Sequence, residues 1–547
     1  MLKFIALSGT VSVTENLYLY EYDNRMMIVD CGVGFPDLEM HGVDLVIPDF
    51  SYISENKDKL CGIILSQGHE DHIGALPFLL REVKSEIWAS PLVTEFIKDK
   101  LSEYKVESTK INTFNPDNGS FSVGPFQINA FRVTHSVPDT VGFAIDTPEG
   151  RIFHVPEHKM DQSPVDGMPF ALDKAKFLAQ KGALFLASDC LGANKPGFTR
   201  GERHIEENIF KIVEKAGRSV FFTAISSNIG RFQQAINVAQ RCGRKIIFIG
   251  RSVQKKCEIA HDLGYLKYQD NSVITIKESL NYSPEKLIYI ISGCYGQVGS
   301  SVYKLSLGEH EKIQIEEGDT LIFSADPAPP YSKESEDFVI DNFIDMGVDV
   351  HYYDLNEELY VSGHGGQEDI LELFKIVNPR YFIPIGGAIR YMHAYKKLVS
   401  KFGANANRVF ELKPGESVIF ENGSARKGEK VSAREILVHG LGIGDVGKIV
   451  LGDRDILGKE GFVIAVLKVN RKGNLSGEPK IVSRGFVFEK VSKKLLHGAE
   501  KRLKSHITGL KKADEAKMKR VASDMLEKFF FEETGRRPMI LPIIVEI

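Results

Sequence analysis

Residues 66–72 read Ser-Gln-Gly-His-Glu-Asp-His, and the spacing His69-x-Asp71-His72 suits a compact site for two metal ions. An imidazole and a carboxylate two residues apart in a tight turn can reach different ions, and the adjacent imidazole joins the second. The chemistry such a site performs is hydrolysis, because a bound ion lowers the pKa of water and offsets charge on the oxygens of the bond under attack. Two residues before His69, where one more imidazole completes the usual form of this loop, the chain has Gln67. The spacing therefore points to a hydrolase loop that is one ligand short.

Further candidates stand where strands are expected to end. Asp30 closes the apolar run Met26-Met-Ile-Val-Asp30, and His135 lies in Thr134-His135-Ser136. Glu157 follows Ile152-Phe-His-Val155, and His364 sits in the glycine-rich turn 362–366. Sites in α/β folds gather at such strand ends. Any one of the 15 histidines is more often structural than a ligand, so the weight rests on the constellation. His154 and His158 flank Glu157, but strand alternation turns them away from it, and both read as structural. Asp30 and Asp139 read as residues that orient histidines and turns.

These residues need elements to hold them. At 547 residues the chain is long enough for three or four domains. A 43% hydrophobic and 26% charged composition is that of a soluble globular protein with cores of ordinary size. Six scattered cysteines without a C-x-x-C pair argue for reduced thiols in a cytoplasmic protein and against a cysteine zinc knot. No run approaches the roughly 20 apolar residues of a membrane span, and the N-terminal apolar run is too short for a secretory signal. A net charge of −4 does not mark a nucleic-acid binder, although a local basic groove suffices to hold a phosphate backbone. The Lys/Arg-rich segment Lys468–Arg520 reads equally as a solvated face or as an RNA contact.

The first 190 residues alternate strand-like runs with helices that open on Pro77 and Pro91. From about 200 to 355 the alternation of strand and helix is regular, as around Ser219–Thr223 and Lys245–Gly250, which predicts a parallel-sheet α/β domain. The polar stretch 422–433 predicts a linker, followed by a unit of about 110 residues.

Taken together these motifs resemble the ribonuclease J family, within the metallo-β-lactamase fold and its β-CASP nuclease branch. Asp30 with Gly32, His69-Glu-Asp71-His72-Ile-Gly74, His135-Ser-Val-Pro-Asp139 and Lys159-Met-Asp-Gln-Ser-Pro164 stand at the metallo-β-lactamase motifs. Ser188-Asp189 and Ser362-Gly363-His364-Gly-Gly resemble the β-CASP acid and histidine motifs. Gly440-Leu-Gly-Ile-Gly, Val482-Ser-Arg-Gly-Phe-Val and Arg536-Arg-Pro-Met-Ile-Leu-Pro resemble ribonuclease J in the C-terminal region. The resemblance covers essentially the full length. It implies a metallo-β-lactamase αββα sandwich with an inserted β-CASP parallel-sheet domain and a small α+β C-terminal domain. The implied boundaries are 1–198 and 358–421 for the sandwich, 199–357 for the insert, 422–437 for the linker and 438–547 for the C-terminal domain.

By the same resemblance the metal ligands are His69, Asp71, His72, His135 and Glu157, holding one or two divalent ions. Zinc is the ion the family implies, with manganese or magnesium as alternatives. Asp71 would orient the attacking water, His364 would stabilise the transition state or leaving group, and Asp189 would be the β-CASP acid, its alternative being a cap on the turn before Pro196. Ser227, Asn228, Arg231, Ser292, Gly293, Ser362, Gly363 and His364 would hold RNA and its 5′ phosphate. The departures fall in the chemistry. Gln67 and Gly386 replace histidines, Glu157 replaces a shorter carboxylate, and Gly230 and Tyr295-Gly-Gln-Val298 also depart from the pattern. Gln67 and Gly386 are therefore weak or lost metal positions, the Gln67 amide oxygen being a substitute ligand that the residue type allows. Two function classes follow: a metal-dependent 5′-to-3′ exonuclease or endonuclease with a remodelled site, or a non-catalytic RNA-binding paralogue serving as a subunit. The expected partners are RNA and either a second copy, as dimer or tetramer through the C-terminal domain, or another ribonuclease J; no membrane partner is expected.

Overall fold

Apolar runs decide where the strands lie. The computed structural model describes all residues except 38, 108, 326–329, 441, 472, 488–491 and 511–513. Leu441 of the first C-terminal motif and Lys472 of the basic segment thus lie outside the described residues. The chain forms two compact units, Met1–Phe35 with Leu45–Ile436, and Pro36–Asp44 with Leu437–Ile547.

The first unit contains two large sheets. One has eight strands in the order Ser424–Lys427, Ser417–Glu421, Leu2–Ala6, Tyr18–Tyr22, Arg25–Val29, Leu60–Ile64, Ile87–Ala89 and Ile111–Thr113. The other has six, ordered Pro379–Ile385, Ala183–Asp189, Gly150–Val155, Val141–Thr147, Phe126–Arg132 and Ser120–Val123. Their inner faces share one core, where Phe4, Tyr20 and Ile64 of the first sheet meet Phe143, Phe185 and Ile383 of the second. Helices Leu172–Ala179, Gln367–Val377 and Ile389–Lys401 cover the outer face of the six-stranded sheet. Each fully buried aromatic or aliphatic side chain contributes roughly 1.5–3 kcal/mol, which suffices to specify this layering. The four-layer sandwich is the one expected.

The insert folds as a five-stranded sheet in the order Lys245–Ile249, Leu287–Ile291, Val220–Thr223, Thr320–Phe323 and Asp349–His351, every pair parallel. Its central strands are apolar at nearly every position because both faces are covered. The start of the expected linker differs from expectation. Ser424–Lys427 pairs antiparallel with Ser417–Glu421 as an edge strand, a place where polar side chains need no apolar face. In the second unit, Lys480–Arg484, Phe462–Val469 and Met539–Glu546 form a sheet packed on helices Lys493–Thr508 and Glu515–Thr534. That is the expected α+β unit.

A buried charge cluster pins the two chain crossings between sandwich and insert. Lys159 Nζ donates to Glu202 Oε1 at 2.8 Å and to the Ser362 carbonyl at 3.2 Å. Arg231 donates to Glu202 Oε2 at 3.3 Å, to Ser324 Oγ at 2.7 Å and to the Leu359 carbonyl at 2.9 Å. The two cations hold the Glu202 carboxyl down at about 2 against the opposing effect of its burial. Removing the shared anion leaves two cations in the interior, a change that costs about 3–5 kcal/mol. Glu202→Ala is therefore expected to lower stability by about that amount in denaturant unfolding, and a loss under ~1 kcal/mol would refute the account.

A second ionisable group works against the fold. Glu15 is buried at a positive φ of 63°, and its Oε1 has no hydrogen-bond partner. Burial first, and then the charge of Glu435, push its carboxyl up to about 7. A raised folded-state pKa means that the favourable contribution is complete below pH 4.5 and lost as pH rises through 7. Glu15→Gln should accordingly stabilise the protein by up to ~3 kcal/mol at pH 8, and by less than half of that at pH 5.5. Thermal melts of both proteins at the two pH values read this directly. An equal gain at both would mean that the charge is not the cause.

Candidate metal centre

The parallel strands deliver their C-terminal ends to one edge. Asp30 follows Arg25–Val29, and the 66–72 loop follows Leu60–Ile64, which pairs parallel with it. Glu157 follows Gly150–Val155, Asp189 ends Ala183–Asp189, and Gly386 follows Pro379–Ile385, three strands that are also mutually parallel. The Val141 amide donates to the Ser66 carbonyl at 2.9 Å, tying one sheet's site loop to the other sheet.

At this edge Glu157 Oε2 is 2.8 Å from His135 Nε2 and 3.9 Å from His69 Nδ1, while Oε1 is 3.2 Å from His72 Nε2. His72 Nε2 is also 3.6 Å from Asp71 Oδ2. Two ligand sets result, His69–His135–Glu157 and Asp71–His72–Glu157, and in each one ligand atom per residue lies within 4.8 Å of the others. Glu157 belongs to both.

Outer partners set how the imidazoles point. Asp30 Oδ2 accepts from His72 Nδ1 at 2.8 Å, and Ser66 donates its amide and hydroxyl to the same carboxylate at 2.8 and 2.7 Å. The Gly363 carbonyl accepts from His135 Nδ1 at 2.8 Å, and Ser136 Oγ meets His69 Nε2 at 3.1 Å. A side chain at 363 would meet His135 Cε1 at 2.6 Å, so glycine is what lets this carbonyl approach. With the outer nitrogens so engaged, His135 Nε2, His69 Nδ1 and His72 Nε2 are the nitrogens turned toward Glu157. His135 Nε2 and His69 Nδ1 lie only 3.3 Å apart. Two ring nitrogens this close beside a carboxylate need a cation or a shared proton between them.

The electrostatics say the same. Among the described residues no lysine or arginine pairs with Asp30, Asp71, Glu157 or Asp189; every described ion pair of theirs is to a histidine. Burial disfavours charge throughout, yet Asp71, Glu157 and Asp30 overcome it and hold the His72 imidazole well above its ordinary pKa. The neighbouring imidazoles likewise hold Glu157 well below the carboxylate range against its burial. Burial pushes Asp71 up to about 6 and His69 down to about 4. A cluster with this excess of anions, and with inward-facing nitrogens, fits one or two divalent ions. His69, His135 and Glu157 would hold one, and Asp71, His72 and Glu157 the other.

The two substituted positions behave differently. Gln67 is fully buried, and its Nε2 donates to Glu157 Oε2, leaving Oε1 without a partner. The expected amide-oxygen ligand is thus turned away, because the carboxylate accepts the amide hydrogen. Gly386 has φ +66°, and a Cβ there would sit 3.6 Å from the Pro156 carbonyl and 3.7 Å from Asp189 Oδ1. The site includes Asn16, which sequence reasoning missed. Its Nδ2 lies 3.1 Å from the Asp71 carbonyl and 3.1 Å from His72 Nε2, and its Oδ1 accepts from Tyr18 at 2.7 Å. The signal for it was its place two residues before strand Tyr18–Tyr22, which pairs with the strand that Asp30 follows.

Next to the cluster, Asp189 Oδ2 and His364 Nδ1 are 2.7 Å apart, and the rings of His364 and His135 are 5.3 Å apart between centroids. Burial lowers the His364 pKa, but Asp189 and Glu157 outweigh it and raise it to about 9. Asp189 also accepts from the Leu191 amide at 2.8 Å.

Several residues expected at RNA have internal partners. Arg231 is wholly interior and committed to Glu202, Ser324 and Leu359, so its guanidinium faces no solvent. Asn228 is buried and caps helix Ile229–Arg241 by accepting from the Arg231 amide, and Ser227 is buried beside it. A polar run that opens a helix supplies capping groups as readily as ligand groups. Ser292 meets Ser301 Oγ at 3.1 Å beside Gly293, whose φ is +110°. The Ser362 hydroxyl accepts from the His364 amide at 3.1 Å. His154 bonds Tyr20 at 2.8 Å within the core, and neither it nor His158 joins a ligand set. Asp139 bonds Arg132 at 3.0 Å, a structural role as expected.

Comparison with known proteins places this edge in a lineage. The beta-lactamase superfamily domain matches residues 25–168, and the Zn-dependent metallo-hydrolase RNA specificity domain matches 355–409. The ribonuclease J beta-CASP domain matches 217–343, and the ribonuclease J C-terminal domain matches 449–547. Ribonuclease J 2 of Staphylococcus aureus (strain NCTC 8325 / PS 47) is 32% identical over 553 residues, 100% of this chain and 98% of the relative. Ribonuclease J 1 of Streptococcus pyogenes serotype M3 is 34% identical over 546 residues, 99% and 97% of the two chains. The chain belongs to the ribonuclease J family. Ribonuclease J matches therefore extend through insert and C-terminal unit alike, the fold is the family's, and its Zn-dependent metallo-hydrolase domain supports a divalent metal as cofactor. A solved protein of unknown function from Enterococcus faecalis V583 superposes with TM-score 0.51 at 12% identity, covering 76% of this chain and 99% of that one, a likeness of fold alone.

Proposed function

We propose that this protein hydrolyses RNA phosphodiesters as a ribonuclease J-type nuclease, 5′-to-3′ exonucleolytic, endonucleolytic or both, with a remodelled metal site. The observation that carries this reading is the pair of ligand sets joined at Glu157, with three imidazoles whose outer nitrogens are engaged by Asp30, Gly363 and Ser136. Bound divalent metal supplies an activated water and offsets charge on the scissile phosphate. Zinc is favoured by the nitrogen-rich set His69–His135–Glu157, and manganese or magnesium by the oxygen-rich set Asp71–His72–Glu157. The chain's own groups do the rest. Asp71 orients the attacking water, and protonated His364, braced by Asp189, donates to the departing oxygen or stabilises its charge. Ser292, Gly293, Ser362 and Gly363 would hold the 5′-end phosphate through hydroxyl and amide donors.

A second reading has its own observation. Gln67 donates to the carboxylate both ligand sets share, and Gly386 contributes no side chain, which suits a non-catalytic RNA-binding subunit. Oligomerisation through the C-terminal unit is supported by Leu541, Ile543 and Val545, exposed in a row along the edge strand Met539–Glu546. This would join two or four copies, or this chain with another ribonuclease J. Among the described residues no helix is long and apolar enough to cross a membrane. The six free cysteines accord with a cytoplasmic setting.

The test is degradation of a 5′-monophosphorylated, end-labelled RNA with Mn²⁺, Mg²⁺ or Zn²⁺, beside His364→Ala. Metal-dependent cleavage lost in the variant supports the nuclease. Binding without cleavage supports the subunit.

A further inference from the structure

Asp369 has no charged partner among the described ion pairs, no part in either ligand set, and no exposed surface. Its carboxylate accepts three backbone N–H groups from three segments far apart in sequence. Oδ1 accepts from Met160 at 2.7 Å, and Oδ2 accepts from Thr199 at 2.7 Å and Gly366 at 2.9 Å. Each segment carries a residue of the site. Met160 is three residues beyond Glu157, Thr199 ends the loop that leaves Asp189, and Gly366 is two residues beyond His364.

The surrounding contacts leave little slack. Thr199 Oγ1 donates to the His364 carbonyl at 2.8 Å and accepts from the Gly366 amide at 2.9 Å. The Gly365 amide donates to the His158 carbonyl at 2.7 Å, next to Glu157. The backbones approach so closely that a Cβ on Gly366 would meet the Gly197 carbonyl at 2.5 Å, and one on Gly365 would meet Asp369 Cβ at 2.5 Å. The local reading is that Asp369 merely closes the first turn of helix Gln367–Val377, since the Gly366 amide is that helix's N-cap donor. One such bond is all a capping residue needs. The bonds to Met160 and Thr199 do nothing for the helix; they join it to the Glu157 and Asp189 segments.

We propose that Asp369 is a positioning residue of the metal site, its carboxylate fixing His364 and Asp189 relative to Glu157 by clamping their three segments. The inference rests on the nuclease reading for its catalytic consequence, but not for its consequence on metal retention. Three N–H donors converging on one carboxylate need an acceptor at both oxygens. Asparagine can serve Thr199 and Gly366 with its single oxygen, but then turns an NH₂ toward the Met160 amide and frees the Glu157 segment.

The experiment uses the full chain with Asp369→Asn, Asp369→Ala, and Glu372→Gln on the solvent side of the same helix as control. Three quantities are read: Mn²⁺ retained after dialysis, affinity for the 5′-monophosphorylated RNA, and kcat separately from KM. Asp369→Asn is expected to weaken Mn²⁺ retention about tenfold and to lower kcat at least tenfold. RNA affinity and KM should stay within about twofold, with Glu372→Gln like wild type. If Asp369→Asn lowers the melting temperature but leaves Mn²⁺ retention and kcat intact, the residue is only a helix cap and the proposal is overturned. Should Asp369→Ala fail to fold, the asparagine variant decides alone. Should the wild type show no RNA turnover, the nuclease reading fails, and Mn²⁺ retention by Asp369→Asn still decides this one.

Discussion

Glu157→Ala should abolish binding of both metal ions at once. Glu157 is the only residue common to the two ligand sets, through Oε2 on the His69–His135 side and Oε1 on the His72 side. Without it each set keeps only two ligands, where catalytic sites ordinarily need three protein ligands plus water. Retained metal after gentle purification and reloading is expected to fall below about a tenth of an equivalent, and any RNA turnover by at least ~10³-fold. His69→Ala and Asp71→Ala each break one set and should leave the ion of the other, with partial retention and turnover reduced ~10²-fold or more. The pattern across the three variants is the test. Equal metal content in Glu157→Ala and wild type would show that the ions, if any, sit elsewhere. Loss of all metal in Asp71→Ala would make the centre a single cooperative unit.

The second large effect is a gain. The double variant Gln67→His with Gly386→His should tighten metal binding at least tenfold, for two structural reasons. Replacing Gln67 removes the amide that donates to Glu157 and frees a carboxylate oxygen for a ligand role. At 386 a Cβ meets only ordinary contacts at 3.6 and 3.7 Å, so there is room for a side chain beside Asp189 and Pro156. The φ of +66° opposes it, since left-handed backbone costs a non-glycine residue roughly 1 kcal/mol. A gain of tenfold, about 1.4 kcal/mol, is thus net of that strain. Zinc titration against a chromophoric competitor measures it. If Gln67→His alone reproduces the whole gain, the 386 loop does not converge on the ions; if neither change tightens binding, the edge has lost its coordination geometry.

Much of this protein is written locally. Apolar runs, turn residues and the His69-x-Asp71-His72 spacing are short-range patterns, and they suffice for the strands, the parallel-sheet insert and the ligand loop. Even the orienting role of Asp30 follows from a carboxylate at a strand end next to a histidine loop. What sequence alone misjudged depends on partners distant in the chain. Arg231 and Asn228 read as RNA contacts by resemblance to the family, and an Arg and an Asn opening a helix are also compatible with an internal role. Only the arrival of Glu202, Ser324 and Leu359 around the guanidinium makes Arg231 interior. Gln67 read as an oxygen ligand because its residue type allows it, whereas the amide's orientation is set by Glu157, 90 residues away. Asp369 was silent because an acid in a first helical turn is ordinary, and its other two donors lie 170 and 209 residues away. Spacing and residue type determine which groups can do chemistry. Which of them do is decided by hydrogen bonds between segments that meet only when the sheets close, because a buried polar group takes whichever partner the tertiary structure brings.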